Sequence, residues 1–193
     1  MTGDNMENRL PLEEYHTAEE YYESPEDERR ELVNGYFYDM SSPGRLHQKV
    51  LGLIFRKIGD YIDSKGGKCE VYPAPFSVQL KEDEDTVLEP DISVICDPEK
   101  LNDRGCLGAP DWIIEIVSKS NASNDYIRKT NLYERAGVKE YWIVDPAEKT
   151  VYVYHFGTED FRVKHYSFRD RIPSGIYEDL TIDFSGIDDS LQG

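Results

Sequence analysis

Between Arg45 and about Ser64 apolar positions recur at three- and four-residue steps. Val50, Leu51, Ile54, Ile58, Tyr61 and Ile62, with His47 at their head, fall on one side of a long helix. Gly66-Gly67 supplies its stop. Upstream, Thr17-Ala18-Glu19-Glu20 reads as a helix start, with a hydroxyl cap and a glutamate three residues on. Glu31-Leu32-Val33, Asn34-Gly35 and Tyr36-Phe37-Tyr38 read as a hairpin, because Asn-Gly favours the tight turn with two positive φ angles. Downstream, short strands are predicted at Cys69–Tyr72 and Phe76–Leu80, then an acidic turn at Glu82–Asp85 and a strand at Asp91–Ile95. A loop follows from about Asp97 to Pro110. Asp111–Ser118 is apolar at nearly every position, the pattern of a strand buried on both faces. A helix from about Ala122 to Ala136 comes next, with Gly137 past its end. Strands at Glu140–Asp145, Thr150–Phe156 and Phe161–Phe168 follow, the last two turning about Gly157-Thr158-Glu159-Asp160.

Helix, strand meander, strand–helix–strand and hairpin in that order give an α/β, or α+β, layout. A length of 193 residues suits one cored domain. Residues 1–16 read as an acidic lead-in, 17–185 as the domain and 186–193 as a tail. The formal charge of −17 argues against a generic nucleic-acid coat. Its distribution changes that picture. Residues 1–40 carry 12 acids and 3 bases, and residues 141–193 carry 10 and 5, whereas 41–140 carry 17 and 14. The central segment is near balance and leaves room for a basic groove there. Cys69, Cys96 and Cys106 lack any C-x-x-C spacing, so reduced thiols are expected, with neither a disulfide framework nor a zinc site. No apolar run approaches a membrane span, and the polar N-terminus is unlike a signal peptide. A soluble, cytoplasmic protein without membrane partners is expected.

A few residues sit where a plain core would not put them. Glu115 lies in the middle of the apolar strand, where an ionised carboxylate costs several kcal/mol unless paired or metal-bound. A salt bridge to an arginine or a functional site would each answer for it. Asp91 follows Pro90 at a strand start, a place where acids also serve as caps. Were the two strands adjacent, both carboxylates would reach one hard cation. Lys129 shares a helix face with Tyr126, Tyr133 and Ala136, so it either snorkels past the core or faces the acids. His47 is equally readable as a core histidine or a catalytic one. Glu31 is readable as a solvated strand-end acid.

There is no P-loop, G-x-G-x-x-G, G-x-S-x-G or H-E-x-x-H motif, and histidines at 16, 47, 155 and 165 are too scattered for a His-rich zinc site. What the chain does contain is an ordered set: Glu31-Leu-Val-Asn-Gly35, His47, Pro90-Asp91, Gly108 to Ser118, Lys129, Tyr133, Ala136-Gly-Val138 and Glu140 to Pro146. That set resembles the PD-(D/E)XK nuclease superfamily and, more narrowly, its Uma-type restriction endonuclease family. The resemblance implies a restriction endonuclease-like fold, a central mixed sheet flanked by helices. It implies Mg²⁺ or Mn²⁺ on Asp91 and Glu115, with the carbonyl of Ile116 joining them and Glu31 as an additional acid. His47 enters as an auxiliary residue. Val117 stands where the E-x-K lysine would be, and Lys129 takes the place of a migrated substitute. The implied activity is hydrolysis of DNA phosphodiesters leaving a 5′-phosphate, with a homodimer suited to cutting two strands. The alternative is a nucleic-acid- or partner-binding module of the same fold with a vestigial site.

Overall fold

A computed structural model of the chain describes residues 14–25, 28–81, 85–118, 123–157 and 162–188. Its first helix, α1 (Ala18–Tyr22), starts at Thr17 with the capping box that the sequence predicts: the Glu20 amide donates to the Thr17 hydroxyl, and the Thr17 amide to the Glu20 carboxylate. Strands β1 (Arg30–Val33) and β2 (Tyr36–Asp39) form the predicted hairpin. Asn34 at φ 51° and Gly35 at φ 83° give the expected double-positive turn. Helix α2 (Arg45–Lys65) ends on Gly66 in the left-handed conformation and buries His47, Val50, Leu51, Ile54, Ile58 and Ile62.

Then come β3 (Glu70–Pro73), β4 (Val78–Gln79), β5 (Val87–Leu88) and β6 (Ile92–Ile95). The 97–110 segment is more ordered than a loop. It contains a 3-10 turn at Pro98–Lys100 and a small hairpin of β7 (Leu101–Asn102) and β8 (Gly105–Leu107). Strand β9 (Trp112–Ile116), helix α3 (Ser123–Ala136) and strand β10 (Glu140–Asp145) make the strand–helix–strand unit. Gly137 follows α3 at φ 95°. Strands β11 (Thr150–His155) and β12 (Arg162–Ser167) pair antiparallel, as expected. Beyond them lie β13 (Arg171–Pro173), β14 (Thr181–Asp183) and α4 (Ser185–Asp188), which local pattern did not announce. Ile187 of α4 is buried against the core. At the other end, the His16 amide donates to the Gly35 carbonyl. The lead-in before residue 14, most of the 82–85 turn and the 158–160 turn lie outside the described residues.

The strands form two six-stranded sheets and a two-stranded ribbon. One sheet runs β2-β1-β5-β4-β8-β7, and the central mixed sheet runs β12-β11-β10-β9-β6-β3. Within the latter, β9 and β10 are parallel through the α3 crossover, and β6 is antiparallel to β9. One face of the central sheet, with Trp112, Ile114, Ile116 and Trp142, packs on α2 and the β13–β14 ribbon. The other face, with Ile95, Ile113, Tyr141 and Ile143, packs on α3 and on Val33, Val78 and Leu88 of the first sheet. Here is the predicted mixed sheet with helices on both sides.

The cysteine expectation is overturned. Cys69 and Cys96 form a disulfide, while Cys106 is a buried free thiol. The antiparallel register that pairs Glu70 with Ile95 brings residue 69 opposite 96 across 27 positions of sequence. Local spacing carries no sign of such a pairing.

Candidate functional site

The site forms where the central sheet meets α3 and the first hairpin. Strands β6 and β9 pair Ile92 with Ile114 and Ser93 with Ile113. One more step of that register sets Asp91 opposite Glu115, and directly opposed antiparallel residues have Cβ atoms about 4.5–5.5 Å apart. Glu115 shares its strand face with Ile113, so its carboxylate points toward α3 and away from α2. The strand adjacency on which the paired acids depended is therefore present.

Each carboxylate is held through one oxygen. The Asp91 Oδ2 atom accepts the Ile116 backbone N–H at 2.7 Å and lies 3.1 Å from His47 Nε2. The Glu115 Oε1 atom accepts Lys129 Nζ at 3.0 Å and the Tyr133 hydroxyl at 2.7 Å. Lys129 also donates to Glu31 Oε1 at 2.8 Å, and that oxygen accepts the Glu89 backbone N–H at 3.2 Å. The helix thus delivers Lys129 and Tyr133, four residues apart, onto one carboxylate. Glu31 arrives from the first sheet, on the far side of the ammonium.

Burial makes these contacts matter. Glu31, Glu115 and Lys129 are 4%, 5% and 3% exposed. Burial drives the Glu115 carboxyl above its ordinary range; the Lys129 ammonium pulls it back, and the Asp91 and Glu31 carboxylates push it further up. Burial likewise drives the Tyr133 hydroxyl well up, which keeps it a proton donor to Glu115. All of the predicted residues Glu31, His47, Asp91, Glu115 and Lys129 line one cleft of about 660 Å³. Ile116 is beside them through its amide on Asp91.

Could a divalent cation sit there? The second oxygens, Asp91 Oδ1 and Glu115 Oε2, take no hydrogen bond among the described residues. Two hard carboxylate oxygens on one cleft fit Mg²⁺ or Mn²⁺, which is commonly held by one or two carboxylates with the rest of its shell from water and substrate. Yet among the described residues no three His, Cys, Asp or Glu side chains group closely enough to hold a metal. Lys129 stands between Glu31 and Glu115 and keeps that third acid at a distance.

Sequence pattern missed three contributors to the site, two of them lining the cleft and one, Tyr133, buried behind Glu115. Tyr133 was placed on the right helical face without a role, and its spacing from Lys129 was the available signal. Helical spacing puts Arg128 off the inward face of α3, which makes it the less attractive cation by sequence, and nothing local brings Tyr38 to that helix, yet the Arg128 guanidinium lies 4.0 Å from the Tyr38 ring centre.

Fold and site together define the class: a restriction endonuclease-like α/β domain, with acids on two adjacent strands of a mixed sheet and a lysine facing them from the crossover helix. The profile of the Uma2 family, described as "Putative restriction endonuclease", matches residues 12–183, and the chain belongs to that family. A relative, the uncharacterized protein slr1290 of Synechocystis sp., is 25% identical over 160 residues, covering 81% of this chain and 83% of its own. A crystal structure of a putative nuclease belonging to DUF820, from Anabaena variabilis, superposes with a TM-score of 0.74 at 19% identity. That superposition spans 91% of this chain and 98% of the other, and it carries the fold. No helix among the described residues is long and apolar enough to cross a membrane.

Proposed function

We propose that this cleft binds Mg²⁺ or Mn²⁺ on Asp91 and Glu115 and hydrolyses phosphodiester bonds of DNA. The observation that carries the reading is the convergence of Asp91, Glu115 and Lys129 on one cleft. A cation held there supplies charge neutralisation at the phosphate and a bound water of lowered pKa. Asp91 is fixed by His47 and the Ile116 amide, so one of its oxygens is oriented before any ligand arrives. Tyr133 and Lys129 do the same for Glu115. The ammonium of Lys129 offers positive charge to a phosphoryl oxygen or orients the attacking water. Glu31 anchors that ammonium from behind. Cytoplasmic DNA as substrate and a homodimer that cuts both strands complete the proposal.

A second reading is favoured by the donor count. With no group of three metal-ligating side chains among the described residues, the donor count by itself supports a binding module of the same fold with a vestigial catalytic site, whereas the lysine facing two acids supports the nuclease. Cleavage of plasmid and oligonucleotide DNA with Mn²⁺ or Mg²⁺ at low salt separates the two. For the nuclease, Asp91→Ala and Glu115→Ala each lower the rate about 10²-fold or more. Full activity in Asp91→Ala rejects this site. DNA binding without metal and without cleavage establishes the module.

A further inference from the structure

Two contacts cross the junction between the first hairpin and α3, one behind the other. Inside, Glu31 of β1 holds Lys129 of α3. Outside, Tyr38 of β2 carries Arg128, the preceding residue of α3, over its ring. Tyr38 is the cross-strand partner of Glu31 in the hairpin register. Opposed residues share a sheet face with Cβ atoms about 5 Å apart, so the stacked pair stands one residue-width from the buried ion pair. Both members line the same cleft as Asp91 and Glu115. The chemistry changes from the inner pair to the outer: Glu31 and Lys129 are buried, whereas Tyr38 is 40% exposed.

We propose that Tyr38 and Arg128 form the lip on which an unpaired nucleotide is held, Tyr38 taking the base by stacking and Arg128 the adjoining phosphate. This rests on the reading of the cleft as a nucleic-acid site. A planar guanidinium laid on an aromatic ring is pre-organised for a phosphate and pays little rotamer entropy on binding. An exposed ring beside it is the usual platform for single-stranded substrate, because every base has a face to stack. The cleft needs such a grip. Its lining includes Glu31, Asp39, Glu89, Asp91 and Glu115 against Arg29, Arg128 and Lys129, so a polyanion gains little from net charge. The substrate class assigned to the cleft is therefore a single-stranded or locally unpaired segment.

The test is fluorescence anisotropy of labelled single-stranded and duplex oligonucleotides at low salt, with Ca²⁺ and with EDTA. Thermal unfolding of each variant checks folding. Tyr38→Ala and Arg128→Gln are each expected to weaken single-strand binding about 5- to 150-fold, the range of a lost stacking contact. Tyr38→Phe, which keeps the ring, should bind within about twofold of the unmodified protein. Wild-type binding that survives Tyr38→Ala unchanged overturns the lip and leaves the nucleic-acid reading standing. Duplex bound as tightly as single strand overturns the substrate class. Absence of any binding by the folded wild-type protein defeats the nucleic-acid reading itself, and the lip with it.

Discussion

At the scale of single residues, Lys129 decides how the site is built. Its ammonium is almost fully buried and touches two buried carboxylates. A buried charge stripped of its partner is far more costly than the pair was favourable. Lys129→Met would leave Glu31 and Glu115 facing each other without a cation, and is expected to cost about 3–5 kcal/mol, read by urea denaturation at neutral pH. Tyr133→Phe removes one donor to Glu115 and keeps the packing, so a smaller loss of about 1–2 kcal/mol is expected in the same measurement. Equal losses in the two variants would show that the ammonium is not the dominant support. Asp91 is different. It is held by one amide and one histidine at the end of a ladder, so Asp91→Ala should disturb cation binding more than folding.

Elements differ in how far the local sequence commits them. The β1–β2 turn is committed: Gly35 has φ 83°, and a Cβ there would run into the Tyr15 ring. Gly35→Ala should therefore lower stability by at least about 1–2 kcal/mol from backbone strain alone, seen as a lower unfolding temperature. The α2 helix is committed by its apolar stripe and its left-handed glycine stop. By contrast, β3 and β6 are joined through register and through Cys69–Cys96. Closing a loop of that length is worth about 3–4 kcal/mol on the chain-entropy account. Reduction should lower the denaturation midpoint, and thiol labelling of the unfolded chain should rise from one site to three on reduction. Three reactive thiols without reductant would contradict the bridge. A reducing cytoplasm would itself favour the open form.

For the whole molecule, pH dependence is governed by buried acids more than by the −17 surface. Glu140 is fully buried at the start of β10, where it accepts Trp142 Nε1 at 2.5 Å and the Gly175 amide at 2.6 Å. Burial outweighs those donors and pushes its carboxyl up to about 7. A carboxyl raised on folding favours the protonated native state. Its stabilisation is complete below the unfolded value near 4.5 and is lost as pH rises through about 7. Stability should therefore fall between about pH 4.5 and 7 and level off above that, with Glu140 contributing up to about 3 kcal/mol of the change. Glu140→Gln should flatten that slope in pH-resolved unfolding. It should not abolish it, since Glu115 is shifted in the same direction. Asp111 is held low by Lys139 and the Cys96 amide against the burial that opposes them, so its share is lost only in more acid solution.

Where the chemistry is local, the sequence determined it. The Asn-Gly turn, the Thr17 cap, the α2 stripe and the β9–α3–β10 alternation are written in neighbouring residues, because turn angles, capping and periodicity act over a few positions. So is the anomaly of a carboxylate within Trp112–Ile116, which singled out Glu115 before any contact was visible. Strand β4 falls within the predicted Phe76–Leu80, but β5, the β7–β8 hairpin and the closing ribbon are not legible, since they are too short for a period and exist by pairing with other segments. Only tertiary structure decided that Asp91 stands opposite Glu115 and that Cys69 meets Cys96. It also decided that Tyr38 carries Arg128 at the mouth of the cleft. Each is a matter of register between segments far apart in sequence, and register is set by how the sheets and α3 bury their apolar faces.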